Sequence, residues 1–132
     1  MKIINTILKV LLSAMLIMPI FGTLGIFPEP TADMYNSIDA YAFIKVLMDS
    51  QYVMIMMSVV FLISLICLWT KRVALASLLL LPISLNIVGF HAFLDGGLLT
   101  SGAIMGNVFF LINIYLLWQS CDQIKPLLKP TV

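Results

Sequence analysis

The chain has 132 residues, of which 62% are apolar and only 10% charged, with a formal net charge of +1. A soluble domain carries about 25% charged residues, and a chain this short has no interior large enough to hide the apolar excess, so lipid is the medium that accepts it. Near-neutrality and the lack of a basic patch with interleaved aromatics exclude a nucleic-acid binder.

A membrane-spanning helix needs about 20 largely apolar residues. Four stretches qualify: about 3–27, 52–69, 73–94 and 98–119. The first carries Lys9 near its start and reads as a retained anchor rather than a cleaved signal, because no small-x-small site follows it. Pro28 and Pro30 are expected to end it, and Thr31 or Asp33 to cap what comes next. The connection 28–50 is the longest. Its polar residues do not gather on one face, which predicts a short helix wedged against the mouth of a bundle. The second span holds Met54, Met56 and Met57. Thioethers are soft ligands for copper, but these three point around the helix rather than converging, and adaptable packing accounts for them.

Lys71-Arg72 separates the second and third spans, and Asp95-Gly96-Gly97 the third and fourth. Links this short predict antiparallel neighbours. With the N-terminus placed inside, Lys2, Lys9, Lys71, Arg72, Lys125 and Lys129 all fall on the cytoplasmic side, and Lys45 alone falls outside, as the positive-inside rule asks. The expected architecture is all-α. It is an integral membrane four-helix antiparallel bundle, N-in/C-in, with a short helical segment in the first outer loop, forming a single transmembrane domain over 1–132.

The third span carries most of the polar groups. Pro82, Asn86, Gly89 and Phe93 follow one stripe; Ser77, Ser84 and His91 recur every seven residues along another. A helix with small or polar groups on two sides is expected to face two neighbours, with Asn86 either in an interhelical hydrogen bond or against a ligand. His91 lies about 27 Å from the Lys71–Arg72 turn at 1.5 Å per residue, near the outer interface. Asp95 sits at i+4 on the same face, placed to orient or charge the imidazole. Two readings stay open for His91: an interfacial histidine with a satisfied hydrogen bond, or a proton-handling or ligand site facing the outer mouth. The candidate ligand-binding set is therefore Asn86, His91 and Asp95. In the fourth span, Gly102 and Gly106 form a GxxxG, with Asn113 one heptad beyond. Pro82, Gly89, Gly102, Gly106 and Asn113 are read as packing positions, within one chain ahead of between two.

Cys67 and Cys121 have no metal-ligand spacing, the chain has one histidine, and no phosphate loop or dinucleotide fingerprint occurs. No catalytic or metal residues are assigned, no resident cofactor is predicted, and autonomous catalysis is not expected.

The stretch LPISLNIVGFHAFLDGG, residues 81–97, resembles the third-helix signature of the DoxX-like membrane proteins, through Pro82, Ile83, Asn86, Ile87, Phe90, His91 and Leu94. FGTLGIFPEP resembles that family's first-helix end, and LWTKRVALASLLL its basic turn; the likeness spans about residues 7–128. Two departures stand out. The family's Asn-Lys pair falls on Gly22-Thr23 here, and its second-helix glutamate falls on Phe61. The resemblance implies a bacterial inner (cytoplasmic) membrane location. It also implies a role as accessory subunit of a redox or quinone-linked membrane system, partnered by the bilayer and a membrane redox subunit, with quinone contact and homo-oligomerisation left open. The alternative is a small-molecule binder or carrier with an outward-facing pocket near His91.

Overall fold

The computed structural model describes residues 1–130. It is all-helical among these residues, and four of its helices are long and apolar enough to cross a membrane, the make-up of a multi-pass membrane protein. Helix α1 spans Lys2–Thr23, α2 Ile38–Ser50, α3 Tyr52–Trp69, α4 Val73–Phe93, α5 Ser101–Gln119 and the short α6 Cys121–Ile124, with 3₁₀ turns at Ala32–Met34 and Lys125–Leu128. The four long helices are α1, α3, α4 and α5. No more than a third of any one of them is buried inside the protein. Side chains such as Ile55, Leu62, Ile66 and Leu111 stay half or more exposed. Apolar surface left outside at that scale has a favourable home only in hydrocarbon.

The helix ends follow local chemistry. α1 stops at Thr23, not near Phe27 as the prolines predict. The cause is Gly25, which takes a left-handed φ of +74°. Its N–H bonds to the Gly22 carbonyl and the Ile26 N–H to the Phe21 carbonyl, a Schellman closure that needs a residue without Cβ penalty at this position. Pro19 sits inside α1 and cannot donate to the Met15 carbonyl one turn earlier. α5 begins at Ser101 rather than Leu98, because the Thr100 hydroxyl accepts the Ala103 N–H and fixes the start there. α2 is capped by Ser37, whose hydroxyl accepts the Ala40 N–H at 3.0 Å, in place of Thr31 or Asp33. α2 passes into α3 through the single residue Gln51, at φ +57°.

The core lies where α1, α3, α4 and α5 meet, around Leu12, Leu16, Phe61, Leu68, Leu80 and Leu116, each at most 2% exposed. Polar bonds add register between helices. The Trp69 indole N–H donates to Ser13 Oγ at 3.0 Å, joining α3 to α1, and Thr23 and Ser58 hydroxyls meet at 2.7 Å. Gln119 on α5 donates to Asn5 on α1 at 3.1 Å, which ties those two helices together at the Arg72 end.

The fully buried Asn113 on α5 is the polar link to α4. Its Nδ2 donates to the Ser77 carbonyl and to Ser84 Oγ, both at 3.3 Å. Replacing Asn113 with alanine is expected to cost about 1–2 kcal/mol, the scale of an interhelical hydrogen bond in lipid plus the space vacated. Reversible unfolding in mixed micelles measures it, and stability equal to wild type would remove Asn113 from this role.

Candidate functional site

The site is built where α4 ends. The Asp95 N–H bonds back to the Phe90 carbonyl and the Gly97 N–H to the His91 carbonyl at 2.8 Å, so the chain curls over the last turn of α4 and carries the Asp95 side chain inward. Asp95 is 2% exposed. Gly96 makes the curl feasible on two counts: its φ is +82°, and a Cβ there would lie 3.0 Å from Asn36 Cβ.

Two N–H groups of Asn36 and one imidazole nitrogen converge on the Asp95 carboxylate. Oδ1 accepts the Asn36 backbone N–H at 2.7 Å and, more distantly, the Asn36 side-chain amide at 3.4 Å. Oδ2 lies 2.9 Å from His91 Nδ1. The Asn36 amide also donates to the Asp95 carbonyl, and the Ser37 hydroxyl to the Leu94 carbonyl. Asn36 and Ser37 thus latch the segment before α2 onto the turn after α4. Phe90 extends this contact with apolar surface, edge-on to Tyr35 and stacked on Phe43 with centroids 6.0 Å apart. Burial, followed by the Asp95 charge, pushes the Tyr35 phenol above its ordinary value of 10.0.

With Nδ1 committed to Asp95, the far edge of the His91 ring faces α5 across the two glycines. A Cβ on Gly102 would lie 3.4 Å from His91 Cε1, and one on Gly106 would lie 3.4 Å from Cδ2 and 3.7 Å from Nε2. The GxxxG is a seat for the imidazole within one chain. Beyond the ring opens a cavity of about 560 Å³ between α1 and α5, backed by α3 and α4. Its walls are Met15 and Met18 of α1, Phe61 of α3, Ile87 of α4, and Met105 and Phe109 of α5, with the rest of the lining also apolar apart from His91. A cavity of this size suits a small lipophilic molecule, and His91 gives it one polar end. Two positions where this chain departs from the resemblance lie close by: Phe61 forms a wall, and Gly22-Thr23 lines a separate, polar recess of about 350 Å³ with Glu29, Tyr41, Lys45 and Asp49.

The structure brings His91 and Asp95 together and leaves Asn86 out. The Pro82–Asn86–Gly89–Phe93 stripe turns outward: Pro82 and Asn86 are exposed, and a Cβ on Gly89 would meet nothing within 4 Å. The expectation is corrected within one chain: Pro82 and Gly89 take no part in its helix packing, and Asn86 makes no interhelical bond. The reason is that α4 offers only its Ser77–Ser84–His91 stripe to α5, where Asn113 supplies the bond. Asn86 instead borders a shallow groove with Phe43, Phe90 and Phe93. Sequence reasoning missed Asn36 and Ser37 as partners of Asp95. The available signal was a serine three residues before Ala40 at the start of a helix-compatible run.

Fold and site together define a class of molecule: a small helical membrane protein with a histidine–aspartate pair at the head of an apolar intramembrane cavity. Comparison of the chain with protein-family models, with curated proteins and with solved structures finds no match.

Proposed function

We propose that this protein is an intramembrane binder of a lipophilic small molecule, holding its polar head at His91 and its apolar body between α1 and α5. The observation that carries this reading is the cavity's polarity pattern, apolar walls with one imidazole at the end. The membrane is read as a bacterial inner membrane, crossed by an antiparallel four-helix bundle with both termini inside. Six of the seven basic residues support that orientation. The bonds from Asn36 and Ser37 to the Leu94–Asp95 turn agree, since they put connection 28–50 and the α4–α5 turn at one end. The DoxX-like resemblance adds the accessory role: a subunit without its own cofactor that serves a redox partner. A quinone-type molecule in its reduced, hydroxyl-bearing quinol form is a natural occupant in that setting, having a planar polar head and an apolar tail.

A photoactivatable alkyl probe tests the cavity in reconstituted protein. Adducts should concentrate on Met15, Phe61, Met105 and Phe109 and be competed by excess unlabelled lipophile. Labelling spread evenly over lipid-facing residues such as Ile55 and Leu62 overturns the proposal. For orientation, a cysteine replacing Lys71 should react only from the cytoplasmic side, and modification by an impermeant reagent on intact cells reverses it.

A further inference from the structure

Resting on the cavity reading, we infer that His91 presents Nε2 as a hydrogen-bond acceptor, so that the site selects a lipophile bearing a hydroxyl, an alcohol or phenol, over the same molecule with an ether or carbonyl head. The inference follows from donor and acceptor bookkeeping. Asp95 Oδ1 is occupied by the Asn36 N–H, while Oδ2 faces Nδ1 at 2.9 Å. A carboxylate oxygen only accepts, so Nδ1 must carry the proton. In the neutral imidazole the other nitrogen is then a lone pair. No protein group among the described residues hydrogen-bonds Nε2, which sits over Gly106 at the cavity. The lining offers no other polar side chain. A hydroxyl in this cavity gives its proton to Nε2 and is satisfied. An ether or carbonyl oxygen meets a second acceptor and leaves both unpaired in an apolar cleft, which is costly.

Asp95 acts here as a positioning residue that sets the tautomer. The Asp95→Asn change inverts that setting. Its amide oxygen is held by the Asn36 N–H, its NH₂ turns to Nδ1, and Nε2 takes the ring proton.

The test uses a matched pair, 4-nonylphenol and its O-methyl ether, titrated by calorimetry into the full-length protein in lipid nanodiscs. The phenol should bind about tenfold or more tightly than the ether in wild type, and the two should fall within about twofold of each other in Asp95→Asn. Nitrogen-15 NMR reads the tautomer directly in wild type, without need of the variant, because the chain has a single histidine. The ligand-free protein should show Nδ1–H and an unprotonated Nε2. Equal affinities in wild type, an Nε2–H tautomer, or a doubly protonated ring would overturn the inference while leaving lipophile binding intact. If neither compound binds, the cavity reading falls with it.

Discussion

Gly106→Ala is expected to destabilise the protein by about 1–3 kcal/mol and to empty the cavity of ligand, although it adds a single methyl group. The new Cβ would lie 2.7 Å from Ile87 Cγ2, a separation that real atoms do not tolerate. Neither neighbour yields cheaply. Ile87 is β-branched and stiff about χ1, and the His91 ring, 3.4 Å away, is held by Asp95. α4 and α5 must therefore separate, with the cost usual for overpacking. Gly102→Ala is the control: its nearest atom is His91 Cε1 at 3.4 Å, so it should cost clearly less. Pairing Gly106→Ala with Ile87→Ala should cost less than the sum of the two single changes, since the clashing methyl is gone. Unfolding free energies in mixed micelles decide the matter, and a Gly106→Ala protein as stable as wild type would show that the two helices are not in the contact described.

Asp95→Ala carries the second large effect. It strands the His91 Nδ1–H and the Asn36 N–H, at about 1–3 kcal/mol for each buried donor left without a partner. The Asn36 side lies near the surface, so the sum is held to roughly 2–3 kcal/mol. The readout is local as well as global. The latch between Asn36–Ser37 and the Leu94–Asp95 turn has lost its centre, so α2 should lose its anchored start. Its amides should exchange faster with deuterium, and residues 32–37 should become cleavable, before α3, α4 or α5 respond. Unchanged exchange in α2 would show that the aromatic contacts of Phe90 with Tyr35 and Phe43 hold the segment by themselves.

Much of the architecture is legible from residues alone, because hydropathy over 20 positions is a strong signal and basic residues punctuate it. The bounds of α3 and α4 agree with expectation to within a residue. The first span was harder. Its apolar run continues past Thr23, and a single glycine in the left-handed region decides the end while composition does not. The His91–Asp95 pair is legible for a similar reason, since i and i+4 must share a helix face whatever the tertiary structure. Asn86 was not. A helix apolar nearly all round has no amphipathic bias to say which of two polar stripes turns inward, and that choice belongs to its neighbours. The cavity was hidden altogether: Met15, Phe61, Ile87 and Met105 come from four helices, and nothing in their identity or spacing sets them apart from ordinary packing residues.

The proline inside α1 has a consequence for selectivity. Pro19 borders the cavity and so does Met15, whose carbonyl has lost its rung of the helical ladder. A helix short of one rung bends there at reduced cost. The bore of the cleft is thus set on one side by a compliant wall, while its head end is a fixed socket of Asp95, His91 and the two glycines. In the binding role proposed above, such a sleeve would discriminate by what a guest presents at its tip and forgive the girth and branching of what trails behind.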